Sequence, residues 1–365
     1  MTEPLTSPLH ERHVALGARF AEFGGWSMPL QYAGVVAEHK AVRSGVGVFD
    51  VSHLGNARVS GPGARAFVNA CFTNDLDRIG PGQAQYTLCC AASGGVVDDL
   101  IAYLIGDDEV MLIPNAANTA EVVRRLSDAA PDGIRVVDEH TDFAIIAVQG
   151  PRSDEVLAAL GIEARFDYMQ FREAELAGRR LTVCRTGYTG ERGYELVCRS
   201  AEAVAVWDAV MAAGAPFAIA PCGLGARDTL RTEMGYALHG HELSLDIDPV
   251  TAGVSWAVGW DKPAFWGADA LRALRAAGPA LRSRALKATG RAIPRPGMEC
   301  VDAEGAVIGR VTSGTFSPTL EAGIGLALLP PGYKPGGQVG VRVRRSVETF
   351  SIEKAPMVTP SVRQA

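Results

Sequence analysis

Between residues 84 and 117 three apolar runs, AQYTLCCAA, VVDDLIAYLI and VMLIPNAA, follow one another with only the turns SGG and GDDE between them. Turns that short join antiparallel neighbours, because a parallel return needs a crossover of a dozen residues or more. The segment therefore reads as a β-meander. Helical patterns surround it: VVAEHKAVRS at 35–44, ended by Gly45; NTAEVVRRLSDAA at 118–130, closed by Pro131-Asp132-Gly133; SDEVLAALG at 153–161, with Ser153 as its N-cap; and 201–213. FAIIAVQGP at 143–151 reads as a buried strand running into a turn, and LTVCRTGYTGERGYELVCR at 181–199 as a hairpin. Hairpins interleaved with helices predict an α+β fold and argue against a doubly wound parallel sheet. After about residue 280 short β-rich runs alternate with Gly/Pro turns, which predicts a separate small all-β domain, with the boundary in AAGPALRSR at 276–284.

A chain of 365 residues suggests two or three domains and can bury a large core without disulfide or metal staples. The formal net charge of −6 provides no basic footprint for a phosphate backbone, so no nucleic-acid partner is expected. No membrane partner is expected either. The N-terminal stretch MTEPLTSPLHERHVALGARF lacks the apolar core of a secretory signal, and the most apolar window, 201–220, is broken by Asp208, Gly214 and Pro216. Seven cysteines without any C-x-x-C pair are expected to be reduced thiols in a cytoplasmic protein.

Asp98 and Asp99 sit inside an apolar strand pattern. Alternation sends Asp98 to one face with Val96, Leu100 and Ala102, and Asp99 to the other with Val97, Ile101 and Tyr103. A carboxylate on such a face must be paired, hydrogen-bonded or protonated. Either both are solvated at the mouth of the hairpin or capping a turn, or one is functional. In the hairpin 187–196 the turn Gly190-Glu191-Arg192-Gly193 places Glu191 near an exposed tip, whereas Glu195 lies within the strand. Glu195 can accept two N–H donors from a guanidine-like edge, or form a salt bridge. Arg227 and Arg231, four apart on a helix beginning near Gly223, either are compensated by Asp228 and Glu233 or form an anion site. The Gly-x-Gly at 223–225 lacks the spacing of a dinucleotide loop. His239-Gly240-His241 has no companion ligands at metal spacing, so no metal is expected.

Taken together and in this order, GGVVDDL at 94–100, GYTGERGYEL at 187–196 and CGLGARDTLR at 222–231 resemble the T-protein family, the aminomethyltransferases of the glycine cleavage system. The similarity extends over FAEFGGWSMPLQYAGVVAEHKAVRSGVGVFDVSHLG at 20–55, MGYALHGHEL at 234–243 and GRVTSGTFSPTLEAGIGLALL at 309–329. The resemblance implies three domains in a cloverleaf around a central folate channel. These are a discontinuous folate-binding α+β domain at 1–51 and 139–278, an inserted α+β domain at 52–138 carrying the Asp-Asp strand, and a C-terminal β-barrel domain at 279–365. It implies tetrahydrofolate as co-substrate and the lipoylated H-protein as partner. The methylene carbon of the aminomethyl group would pass from the dihydrolipoyl arm to tetrahydrofolate, giving methylenetetrahydrofolate, ammonia and the reduced arm. By position, the resemblance makes Asp99 the catalytic carboxylate and assigns folate contacts to Tyr86, Asn115, Tyr188, Glu195, Arg227, Tyr236 and Arg363.

Two departures stand out. Leu54 replaces the methionine of the family's S-H-M-G, a change that conserves volume, and the tail KAPMVTPSVRQA is looser than the family's K-x-P-F-V. A demethylase module of the dimethylglycine or sarcosine oxidase kind would need room for a flavin domain, which 365 residues do not leave. The iron–sulfur repair and tRNA-modification branch carries K-G-C-x-x-G-Q-E, whereas residues 185–191 read RTGYTGE, without a cysteine. A non-catalytic folate-binding protein is disfavoured by the retention of Asp99.

Overall fold

The structure, a computed structural model, describes residues 3–363. Two antiparallel-rich sheets and a barrel organise the chain. The meander forms as expected: Gln83–Cys90, Val96–Gly106 and Glu109–Ile113 are neighbours in a five-stranded sheet completed by Ala57–Ser60 and Arg135–Asp138. A six-stranded sheet runs Phe171–Leu176, Arg179–Cys184, Gly193–Arg199, Phe143–Gln149, Gly47–Asp50, Ala220–Cys222. The last pair is parallel and the rest antiparallel. A closed six-stranded barrel follows from Arg282–Ala288 to Ser346–Glu353, so the late change in texture does mark an all-β unit. The fold is α+β, as the pattern of hairpins and helices predicts.

Both sheets are sandwiched, and this explains why their strands read as nearly continuous apolar runs. One face of the five-stranded sheet packs Leu100, Ala102 and Leu104 against the helices Ala64–Cys71 and Thr119–Ala129. One face of the six-stranded sheet packs Ile146, Val148 and Leu196 against Trp207 and Val210 of the helix Ala203–Gly214. The remaining faces meet each other through Tyr103, Met111 and Ile113 on one side and Phe49, Ile145 and Val197 on the other. Each such side chain stabilises the fold by about 1.5–3 kcal/mol, so this inter-sheet core holds rigid the edges where polar groups emerge.

Local geometry corrects several expectations. Ser153 is not an N-cap: Arg152 occupies that position, no side chain caps this helix, and the Ser153 hydroxyl donates to the carbonyl of Arg192 (3.3 Å). A register shift in the pairing of Gln83–Cys90 with Val96–Gly106 makes Cys90 face Val96 and Cys89 face Asp98. Val96 therefore joins a different core from Leu100 and Ala102, and the simple alternation through Asp98 fails at that bulge. All seven cysteines are buried and free. No helix among the described residues is long and apolar enough to cross a membrane.

Candidate functional site

The strand Val96–Gly106 turns its two aspartates to opposite sides, yet both carboxylates meet one amide. The Asn115 side chain donates to Asp98 Oδ1 and to Asp99 Oδ1, each at 2.9 Å. Asp98 is fully buried and also accepts from the Asn115 backbone N–H (3.0 Å) and the Asn118 amide (2.6 Å). It is neither solvated at the hairpin mouth nor a turn cap, and that expectation is corrected: burial is met by three donor groups at the entry to the helix Thr119–Ala129. Asp99 is half-buried, accepts from the Tyr86 hydroxyl at 3.0 Å, and opens onto a cavity. Burial pushes both carboxyls above their usual range. For Asp98 the neighbouring charge of Asp99 adds to that; for Asp99 the Tyr86 hydroxyl, His239 and Asn115 pull back.

The cavity, about 120 Å³, is walled by Asp99, Asn115, Glu195, Arg227, His53 and His239. A second cavity of about 360 Å³ adjoins it. The two share Tyr86, Ile101, Gly187, Tyr188 and Ala237, so the aromatic pair Tyr86 and Tyr188 stands where one passes into the other. Exposed Trp256 stacks on Tyr86 with ring centroids 5.3 Å apart, and Tyr236 lies 5.6 Å from Tyr188; both line the second cavity.

Glu195 and Tyr188 are delivered by the hairpin Arg179–Cys184 and Gly193–Arg199. Its loop wraps the side chain of Gln149: a Cβ on Gly187 or Gly193 would lie 2.1 or 2.3 Å from the Gln149 amide, so glycine is required at both places. The Gln149 amide donates to Thr186 O (3.1 Å) and accepts from Thr189 Oγ1 (2.7 Å). Thr186 then donates to one oxygen of buried Glu195; no other described residue donates to that carboxylate. Tyr188 donates to the carbonyl of Ala237. Arg227 lies 4.7 Å over the Tyr188 ring, and its Nη1 is buried with no hydrogen-bond partner. Burial pulls the Arg227 pKa down, against the nearby Glu195 and Tyr188, yet a guanidinium remains charged.

Glu191 is not exposed. At the hairpin tip it is 8% accessible, comparable to Glu195 at 6%, because Arg43 (2.7 Å) and the Ser361 hydroxyl cover it. Nor does Glu233 compensate Arg227 and Arg231. It is held by Arg43 at 2.7 Å and by Ser317 and Thr319, while Arg231 is bound by Asp228 (2.7 Å), Glu242 (3.1 Å) and Ser313 (2.8 Å). Arg363 is exposed and lies 5.8 Å over Tyr168, a residue of the second cavity's wall; it does not reach the first. His239 contacts Val96 O (3.1 Å) and His241 contacts Thr312 O (2.8 Å), and no metal-holding group of three or more His, Cys, Asp or Glu exists among the described residues. Sequence reasoning assigned no role to three walls of the site, Phe23, His53 and Trp256. The first two lie inside the motif at 20–55, which was their only signal.

What the arrangement can hold follows from its donors and acceptors. Carboxylates at Asp99 and Glu195 accept N–H groups, Arg227 offers an unused N–H, and Tyr86, Tyr188 and Trp256 present ring faces. A flat heterocycle with an N–H-rich edge and a carbonyl fits those demands.

Known proteins resemble this chain over nearly its whole length. Residues 9–262 match the GCVT N-terminal domain, and residues 282–358 match the glycine cleavage T-protein C-terminal barrel domain. The chain is 60% identical to an aminomethyltransferase of Parafrankia over the full length of both, and 57% identical to one of Mycobacterium tuberculosis over 99% of both. The crystal structure of glycine cleavage system aminomethyltransferase T from Bartonella henselae superposes with a TM-score of 0.93 at 32% identity, covering 98% of this chain and 99% of that one.

Proposed function

This chain belongs to the glycine cleavage T-protein family of aminomethyltransferases, and from that premise we propose that it transfers the methylene carbon of an aminomethyl-dihydrolipoyl arm, carried by H-protein, to tetrahydrofolate. The products are 5,10-methylenetetrahydrofolate, ammonia and dihydrolipoyl H-protein. The observation that carries the proposal is Asp99: a half-buried carboxyl, fixed by Tyr86 and Asn115, on the same cavity as Glu195 and Arg227.

In this reading Glu195 receives the N–H edge of the pterin, since one of its oxygens is taken by Thr186 and no described residue donates to the other. Arg227 donates to the ring carbonyl, and Tyr86 and Tyr188 flank the ring. Asn115 holds Asp99 in place beside the reacting nitrogen. Tyr236, and Arg363 by way of Tyr168, belong to the outer cavity, where the remainder of the folate leaves the protein. Folate supplies the nucleophilic nitrogen. The protein orients it, excludes water and accepts its proton on Asp99, whose raised pKa makes it a better base than an exposed aspartate. Holding both reactants in one small cavity is the larger part of the catalysis, because orientation alone removes several kcal/mol of barrier.

We take the chain to act in the cytoplasm. We take it to divide at 1–51 with 139–278, 52–138 and 279–365, with the folate channel where these units meet. One assay tests the reading: ammonia release from aminomethylated H-protein with and without tetrahydrofolate. Release accelerated by tetrahydrofolate, with stoichiometric methylenetetrahydrofolate, is expected. Equal rates with and without it would overturn the proposal.

A further inference from the structure

The inner cavity has an acceptor end, formed by Asp99 and Glu195, and a donor end to which the proposed reaction has so far given little to do. His53 stands at the donor end. It is 1% exposed, it forms part of the cavity wall, and its Nδ1 is buried with no hydrogen-bond partner. Leaving such a group unpaired is costly, because its hydration is lost and nothing replaces it. The turn that carries it is otherwise tightly tied. Leu54 N–H donates to Val51 O (3.0 Å), Gly55 N–H to Pro114 O (2.8 Å), and the His140 ring to His53 O (2.8 Å). A Cβ on Gly55 would fall 2.0 Å from Thr119 Oγ1, so the turn is wedged against the helix that begins at Thr119. Phe23 meets the imidazole edge-on, with centroids 5.4 Å apart at 88°. The backbone and ring are thus held while the ring nitrogens are unused. Arg227 Nη1, the other unpartnered buried nitrogen among the residues lining this cavity, is taken up by the folate ring carbonyl in the reading above. Burial, the Arg227 charge and His140 outweigh the opposing charge of Asp50 and bring the imidazole down to about 3, so it is neutral at neutral pH. A neutral imidazole donates an N–H without acting as a strong acid, a role known for electrophilic histidines.

We propose that His53 receives the sulfur of the lipoyl arm as it leaves the transferred carbon. The inference rests on the function proposed above. In the transfer one folate nitrogen forms a bond to the methylene carbon as the carbon–sulfur bond breaks; the second folate nitrogen then bonds to that carbon as the aminomethyl carbon–nitrogen bond breaks, and its proton leaves with the ammonia. The electron pair of the carbon–sulfur bond goes to sulfur, and the proton of the first nitrogen goes to Asp99. Sulfur is therefore the atom that gains negative charge, and it needs donors rather than carboxylates. Asp99 and Glu195 match the N–H groups of folate and Arg227 its ring carbonyl; the unused ring N–H of His53 matches a thiolate.

The test titrates the ultraviolet thiolate absorbance of dihydrolipoyl H-protein bound to the enzyme, with unlipoylated H-protein as blank. The chain's own thiols stay silent because all are buried and their pKa values are pushed up, Cys71, Cys90, Cys198 and Cys300 to about 12. Bound to wild type, the lipoyl thiol should ionise about one pH unit lower than on free H-protein. His53→Phe should remove most of that shift and slow single-turnover transfer about 10²-fold, with tetrahydrofolate affinity and melting temperature kept. His53→Gln, which retains a donor, should recover part of both. An identical thiol titration for wild type and His53→Phe would overturn the proposal. So would a loss of rate that merely follows a loss of folate affinity or melting temperature. Absence of tetrahydrofolate-dependent ammonia release by wild type would instead refute the reaction itself.

Discussion

Two buried polar clusters share the helix Leu224–Met234, and they are assembled differently. Toward the barrel, Arg43, Arg231 and Glu233 find a partner on every side-chain polar atom, and His39 is held between Thr229 and Thr319, each at 2.8 Å. Toward the cavity, Arg227 keeps an unpartnered Nη1, His53 an unpartnered Nδ1, and Glu195 receives a single donor among the described residues. Both clusters bury charge at similar depth. The saturated one joins the barrel to the rest of the chain, and the side chains of Arg43, Arg231 and Glu233 have no polar atom left for a ligand. The unsaturated one is costly in isolation and makes sense only if a ligand completes it. Burial alone therefore does not mark function; unused hydrogen-bonding capacity gathered on the wall of one cavity is the better guide.

The largest expected effect falls on the aspartates. Asp99→Asn should slow single-turnover transfer by about 10²–10⁴-fold while folate still binds. Asp98→Asn, whose carboxyl faces only Asn115 and Asn118, should leave the rate within a few fold and lower the melting temperature. A slow Asp98 variant beside a fast Asp99 variant would exchange their roles.

On the saturated side, Glu233→Gln leaves Arg43 with Glu191 as its remaining carboxylate partner and replaces two charge-assisted hydrogen bonds in a closed site, which should cost about 1.5–3 kcal/mol in urea unfolding. Tetrahydrofolate affinity should be unaffected. A variant as stable as wild type would show that the junction carries no strongly coupled charge.

The two hairpin glutamates sharpen the contrast at equal burial. Glu195→Gln should weaken tetrahydrofolate binding about 10-fold or more by calorimetry. Glu191→Gln should leave binding intact and expose the segment around Ser361 to proteolysis, since that hydroxyl and Arg43 are its partners. Equal dissociation constants would show that the wrong glutamate has been chosen.

The smallest effect is on pH dependence. His39 is held at about 4 by burial and by Arg43 and Lys40, against the pull of Glu233. In the unfolded chain it protonates near 6.5, so below that pH the unfolded state binds a proton that the folded state does not. Stability is therefore lost as pH falls from 6.5 toward 4, by at most about 1.4 kcal/mol per pH unit. His39→Gln should flatten this part of the profile; an unchanged slope would mean that His39 is charged in the folded protein.

Much of the fold was legible because its signals are local. The turns SGG and GDDE announce the meander, and a carboxylate inside VVDDLIAYLI demands an explanation wherever that strand lies. Glu191 was misjudged because exposure at a hairpin tip is not a local property: its cover comes from Arg43, 148 residues earlier, and Ser361, 170 residues later. Glu233 was misassigned for the same reason, its partners lying on the helix Val35–Ser44 and in the barrel. The bulge that displaces Val96 leaves no mark in the sequence pattern, and Ser153 reads as a cap although the helix starts one residue earlier. His53 shows nothing in sequence beyond its place in a shared motif, because a missing hydrogen bond is visible only once every neighbour is placed.

The account is tested most directly by measuring Asp99→Asn and Glu233→Gln side by side, for single-turnover methylene transfer from aminomethylated H-protein and for urea stability. The account predicts that Asp99→Asn folds nearly as well as wild type and transfers at least about 10²-fold more slowly. It predicts that Glu233→Gln is markedly less stable yet, where folded, transfers at close to the wild-type rate. The reverse pattern, a fast Asp99 variant and a slow but stable Glu233 variant, would contradict it.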